Sequence, residues 1–171
     1  MITLQNAYIM SSPIEEAWKV FNDMDSLARC FPTMKAYEVV DENTINLILR
    51  IVLGAIPLEN RVTVAVIKRE APTHLTAQGV SYSGDAFKRV ASVDKDAASQ
   101  ITVDLFLESI SPVETKISYD MRVEAFGSIK RIYEAILKSK RKKMESDFLA
   151  NIRKTSNKEV KEIPDAMKQA M

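Results

Sequence analysis

Between Tyr37 and Phe126 apolar and polar residues alternate with a period of two, and the stretch is followed by one long helical segment. Ile101, Val103, Leu105 and Leu107 alternate with Thr102, Asp104, Phe106 and Glu108. Ile117, Tyr119, Met121, Val123 and Ala125 alternate with Lys116, Ser118, Asp120, Arg122 and Glu124. Strands of this kind have one dry and one wetter face, and short turns join them into an antiparallel meander. Earlier strands are predicted at 37–41, 44–54, 58–69, 73–82 and 86–94. Turn residues punctuate them at Asp41-Glu42-Asn43, Gly54 to Pro57, Ala71-Pro72, Ser83-Gly84-Asp85, Asp94-Lys95-Asp96 and Ser111-Pro112.

Residues 2–10 form a further predicted strand. Ser12, with Pro13 next and Glu15 three residues on, has the pattern of a helix N-cap and capping box. Ile14, Ala17, Trp18 and Phe21 then recur at helical spacing. A second short helix is predicted at 25–30, stopped by Pro32. After Gly127, Ser128 is placed to cap a helix reaching about Lys154. Ile129, Ile132, Tyr133, Ile136, Leu137, Met144, Phe148 and Ile152 form its apolar stripe, and Lys140 and Arg141 interrupt it. The expected division is one domain, 1–154, and a partly disordered tail, 155–171.

Composition excludes several classes. The chain has 24 Lys and Arg against 23 Asp and Glu, too balanced for a protein that coats nucleic acid. One Cys and one His rule out the usual four-ligand zinc sites and two-histidine metal motifs. Only four glycines occur, in no phosphate-binding pattern, so no nucleotide cofactor is expected. The N-terminal segment lacks the features of a signal peptide, and one Cys suits a reducing compartment, so a cytoplasmic location is expected.

The order of elements gives an α+β fold in which one helix covers a wide sheet. A helix about 10–12 Å across cannot fill the trough of a strongly curved sheet, so an apolar cavity is expected between them. The segment SSPIEEAWKVFNDMDSLARCFPTMKAYEVVDENT carries Ser12-Pro13, Trp18, Asn22-Asp23 and Cys30-Phe31-Pro32. With Gly54 ahead of the fourth strand and the apolar-basic last helix, it resembles the helix-grip (START/Bet v 1-like, SRPBCC) superfamily. Within that superfamily it is most similar to the carbon monoxide dehydrogenase G-subunit family, over roughly residues 2–153. The family's glycine-rich central hairpin is replaced here by Tyr82-Ser83-Gly84-Asp85-Ala86-Phe87. The resemblance implies a curved antiparallel sheet of about seven strands wrapped around a long C-terminal helix. It also implies non-catalytic binding of a lipophilic molecule, a lipid or a quinone. The partner it implies is a molybdenum-containing carbon monoxide dehydrogenase-like oxidoreductase, met at the inner face of the membrane. A cyclase- or hydratase-like enzyme on the same fold and a protein-interaction adaptor are the alternatives.

The candidate cavity lining is Trp18, Leu49, Ile51, Val64, Leu75, Phe87, Leu105, Tyr119, Met121, Ile132, Tyr133 and Ile136. Each aliphatic residue fits solid core equally well. Trp18 serves either as a core anchor or as a wall of the cavity mouth. A buried phenol at Tyr119 or Tyr133 needs a hydrogen-bond partner, which a ligand carbonyl can supply. His74 lacks any motif for a carboxylate orienter or nucleophile, and Cys30 reads as a small buried hydrophobe. Residues 128–154 carry nine Lys and Arg against three Asp and Glu, a net +6, while the rest of the chain carries −5. Lys138, Lys140, Arg141, Lys142 and Lys143 are the candidates for contact with anionic lipid or an acidic partner.

Overall fold

The computed structural model describes residues 1–82, 99–126 and 130–163. Strand β1 (Ile2–Met10) leads into helices α1 (Ile14–Asn22) and α2 (Met24–Cys30). Six strands follow: β2 (Met34–Asp41), β3 (Thr44–Leu53), β4 (Ile56–Glu70), β5 (His74–Tyr82), β6 (Ser99–Ser111) and β7 (Glu114–Ala125). Helix α3 (Lys130–Ser156) and a short strand β8 (Val160–Glu162) come last. The strand expected at 86–94, Phe87 and the cap expected at Ser128 lie outside the described residues.

The sheet has the order β2-β3-β4-β5-β6-β7-β1-β8, with antiparallel neighbours throughout. Period-two patterning fixes its phase, because a slip of one residue would turn each apolar row to solvent. Leu105 pairs with Leu75 and Tyr119, and Met121 with Val103 and Leu4, so one face is continuously apolar. The β3–β4 turn is tight, with Gly54 at φ +60°, the positive angle a two-residue hairpin loop requires.

Local chemistry at α1 departs from expectation. The helix begins at Ile14 with Pro13 in the capping position, and no side chain caps it. The Ser12 hydroxyl is buried without a partner, while its carbonyl accepts a hydrogen bond from Thr115 Oγ1 (2.8 Å). Holding the end of β1 against β7 has taken precedence over capping. Helix α2 is capped as its sequence allows: the Asp23 carboxylate accepts from the Ser26 amide (3.1 Å). Tyr37 donates to Asp25 (2.6 Å) and ties α2 to β2.

Ordered chain continues past the tail boundary expected at 154. Asn157, at φ +54°, ends α3, and β8 then pairs with Tyr8–Met10. Arg153 Nε donates to the Val160 carbonyl (2.6 Å), and the Ser11 amide to the Glu159 carbonyl (2.9 Å). Val160 and Ile163 are buried, Ile163 in a small cluster with Ala7 and Ile9 on the other face of the sheet. A three-residue strand is too short to announce itself by alternation.

Helix α3 is held unevenly. Ile136 and Leu137 near its start, and Leu149 and Ile152 near its end, are buried; Met144 and Phe148 are half-buried. Ile132 is 44% exposed, against the expectation that it faces inward. Replacing Ile152, fully buried, with Ala should cost about 2–5 kcal/mol in urea unfolding, whereas Ile132→Ala should change stability by less than about 0.5 kcal/mol.

Candidate functional site

A cavity of about 100 Å³ lies beneath the middle of α3, where Lys140 and Arg141 interrupt the apolar stripe. Its floor is Leu4, Leu75, Ala77, Val103, Leu105, Tyr119 and Met121, from β1, β5, β6 and β7. Ala77 is the smallest side chain of this floor, which leaves room where a larger residue would fill it. One side wall is Leu27, Cys30, Phe31 and Pro32 from α2 and the loop after it, with Phe21 of α1. The roof is Arg141, Met144, Glu145 and Phe148 of α3. Asn151 Nδ2 donates to the Phe31 carbonyl (3.2 Å) and fastens the side wall to the helix.

Of the residues expected to line the cavity, Leu75, Leu105, Tyr119 and Met121 do so. Trp18 and Val64 are buried in the surrounding core, with Leu49 half-buried against it. The cavity lies over the β5-β6-β7-β1 part of the sheet, which β3 and β4 do not reach. Of the apolar residues α1 buries, only Phe21 reaches it. Ile136 packs inward without lining it, and Ile132 faces solvent. The side chains of Ile51, Tyr133 and Phe87 lie outside the described set. Val103 was legible from the strand phase, and Met144 and Phe148 from the helical stripe. The roles of Ala77, Leu27 and Glu145 follow only from the three-dimensional arrangement.

Polar groups gather beside the cavity, along an open groove bordered by Asn6, Tyr119, Arg141 and Glu145. Tyr8 is fully buried behind Tyr119, and their rings lie 6.4 Å apart. Phe148 packs edge-on to Tyr119 (5.5 Å) and against Tyr8 (6.0 Å). Asn6 Nδ2 donates to the Tyr8 hydroxyl (3.3 Å), while Asn6 Oδ1 accepts from the Ala7 amide (2.8 Å). Glu145 Oε1 accepts from Arg141 Nε (3.1 Å); the arginine side chain is 48% exposed and marks where the lining meets solvent. Burial first, and the Glu145 charge second, push the Tyr119 phenol up to about 12. The Tyr8 phenol is raised further still, by burial and then by its neighbours Tyr119 and Glu145. Burial likewise pushes the Cys30 thiol up to about 12, only partly offset by a hydrogen bond with Thr155, so it is no nucleophile.

His74 is on the opposite face of the sheet. Its Nε2 lies 3.0 Å from Asp104 Oδ1, and its ring stacks on Phe106 at 4.4 Å. Thr76 Oγ1 donates to the same carboxylate (2.7 Å), and Arg122 Nη2 to its other oxygen (2.8 Å). Burial opposes the charge on Asp104, but the bonds from Thr76 and His74 and the charges of His74 and Arg122 outweigh it and hold the carboxyl below its ordinary range. The carboxylate beside His74 comes from a neighbouring strand, so no local motif could reveal it. All of its bonds are spent within the cluster, away from the cavity.

An open antiparallel sheet gripping one long terminal helix, with two short helices after the first strand and a hollow between, defines a helix-grip protein. The chain belongs to the carbon monoxide dehydrogenase G-subunit (CoxG) family, whose model matches residues 9–157. Solved structures show the same fold at low identity. A conserved protein from Geobacillus kaustophilus superposes with a TM-score of 0.68 at 19% identity, covering 94% of this chain and 99% of that one. A protein from Arthrobacter aurescens gives 0.60 at 14% identity, covering 91% and 86%. An uncharacterized protein from Rhizobium leguminosarum gives 0.62 at 11%, covering 91% and 94%. No curated protein matches the sequence.

The raised phenols yield a pH prediction. Unfolded tyrosines ionise near about 10, whereas Tyr119 and Tyr8 keep their protons beyond that. Above about pH 10 the unfolded state therefore binds fewer protons than the folded one, and stability must fall as pH rises. Phenolate absorbance titration should show a late-ionising fraction that shrinks in Tyr119→Phe. An unchanged titration curve in that variant would contradict the burial of this hydroxyl.

Proposed function

We propose that the protein binds and carries a lipophilic small molecule, a lipid or a quinone, beneath α3, as an accessory to a molybdenum-containing carbon monoxide dehydrogenase-like enzyme at the membrane. The observation that carries this is the chemistry of the cavity wall. Apart from Arg141, Glu145, Tyr119 and Cys30, every lining residue is aliphatic, Phe, Met or Pro. The two charged residues are hydrogen-bonded to each other. An enzyme would need convergent ionisable groups free to act on a substrate, and a pure adaptor has no use for a hollow core.

Size adds a requirement. About 100 Å³ is well below the roughly 300 Å³ at which drug-sized sites begin. A lipid-sized guest therefore has to displace part of the wall. Met144, Met121 and Phe148 are flexible or edge-mobile side chains suited to this. Ala77→Leu should fill the hollow. Native mass spectrometry of protein made in its own host should then show a co-purifying lipid or quinone lost from the variant, with folding retained. An equal ligand load in both proteins would place the guest elsewhere.

The outer face of α3 supports docking to an anionic bilayer. Lys138, Arg141, Lys142 and Lys143 are exposed, while Lys140 is half-buried. Arg141 and Lys143 are paired to Glu145 and Asp147, which leaves Lys138 and Lys142, one turn apart, as the exposed cations of this group without an ion pair among the described residues. Arg131 lies on the same side at helical spacing, and the exposed Ile132 adds an apolar contact. Each such cation contributes about 1 kcal/mol near an anionic surface. The double reversal K138E/K142E should reduce sedimentation with phosphatidylserine vesicles by at least about tenfold and leave the thermal transition intact. Unchanged sedimentation would remove this face from the docking surface.

A further inference from the structure

The apolar cavity and the polar groove beside it are two compartments with a common wall. The groove is open and holds about 520 Å³. Tyr119, Arg141 and Glu145 border both spaces. A second groove, of about 410 Å³ between α2 and the end of α3, shares only Phe31 with the cavity. There Asn151 holds the Phe31 carbonyl to the helix (3.2 Å). The common wall, by contrast, is lightly held. Arg141 and Glu145 stand one turn apart on α3, joined at 3.1 Å, with side chains 48% and 22% exposed. An ion pair of this kind adds little to stability, so swinging the two side chains aside costs far less than displacing buried Phe21, Leu75 or Leu105.

The lining of the groove restricts what can lie in it. It carries two cations, Lys116 and Arg141, and two acids, Asp120 and Glu145. Lys116 lies 3.6 Å from Glu108, and Arg141 is paired with Glu145. Asp120 accepts from Gln5 Nε2 through one oxygen (3.2 Å), and its other oxygen is enclosed. A charged head group would have to break one of these contacts to gain its own. Uncharged groups find more: the Ser118 hydroxyl, and the side-chain amides of Gln5 and Asn6, which have capacity beyond the bonds they make. Phe106 also borders the groove, 42% exposed and braced against the His74 ring at 4.4 Å. Amides and a hydroxyl beside a fixed aromatic ring suit a head that carries hydroxyl groups on a C–H framework.

We infer that this groove is the head-group compartment of the carrier site, that the Arg141–Glu145 pair is the partition its cargo opens, and that the cargo is a single-chain amphiphile with an uncharged, hydroxylated head. The inference rests on the carrier reading and extends it from the cavity to the groove. The tail takes the apolar space beneath α3, and the head stays among groups that can bond it, so no polar atom enters a wall unable to satisfy it.

Four probes test this by chemical-shift titration of the full chain, each below its micelle-forming concentration. They are hexane, octyl glucoside, octyl sulfate and octyltrimethylammonium. Octyl glucoside should bind more tightly than either charged octyl probe, and should shift amides of both compartments, Ser118 as well as Val103. Ser118 lines the groove and not the cavity, so Ser118→Trp should weaken octyl glucoside by at least about fivefold, the loss of one or two neutral hydrogen bonds, and leave hexane unchanged. Gln5→Trp, at an exposed position, should do the same if the first variant folds poorly. Lys154→Trp, in the other groove, should change neither. Glu145→Gln should speed octyl glucoside association by roughly 1.4- to 5-fold, the worth of an exposed ion pair. An unchanged rate would remove the pair from the path. If both groove variants leave octyl glucoside unaffected, or a charged probe binds tightest, while hexane still binds, the inference falls and the carrier reading stands. Failure of hexane and octyl glucoside alike to bind would overturn both.

Discussion

One helix has to cover the apolar face of an eight-stranded sheet, and everything distinctive about this molecule follows from that mismatch. The inward rows of β5, β6, β7 and β1 are committed to burial by their alternation, since any other register would expose them. A helix of ordinary diameter meets those rows only where its own large side chains reach down. Where α3 presents Arg141 in place of an apolar residue, the floor has Ala77 beneath, and the two surfaces do not meet. Helices α1 and α2 close the flank rather than the roof, which is why Phe31 and Pro32 border the space while Trp18 is absorbed into solid packing.

The charge distribution follows the same division. The sheet's solvent face disposes of its ionisable groups in local networks such as His74, Thr76, Asp104 and Arg122. Helix α3 instead concentrates positive charge outward and keeps one acid, Glu145, on the side of the cavity. The helix is thus both the roof of an apolar space and the most cationic element of an otherwise acidic chain.

Most of the architecture was legible in the sequence because it is written in periods. Two-residue alternation marks β6 and β7, helical spacing marks α1 and α3, and Gly54 and Ala71-Pro72 mark turns. Strand phase also identified Leu75, Leu105, Tyr119 and Met121 as inward-facing. It could not say which inward positions border empty space, because Val64 and Leu105 carry the same local signal and differ only in what lies above them. Ile132 belongs to the apolar stripe by spacing, yet it is exposed, which spacing alone does not reveal. Ser12 has the sequence of a cap, but its neighbour Thr115 claims its carbonyl from more than a hundred positions away. β8 was hidden because three residues are too few to show a period. The link between Asn6, Tyr8 and Tyr119 depends on β1 lying beside β7, a pairing of the chain's beginning with its far end.

The fastening of α3 has a mechanical corollary. Ile136 and Leu137 seat the helix near one end. At the other, Leu149 and Ile152 are joined by the short edge strand, whose backbone is stitched to β1. The element is a beam clamped at both supports, and such a beam deflects most at midspan, where Arg141, Met144 and Glu145 sit. On the proposed carrier reading, space for a larger occupant comes from bowing of the centre while the supports stay seated, and neither the edge strand nor the sheet has to unzip.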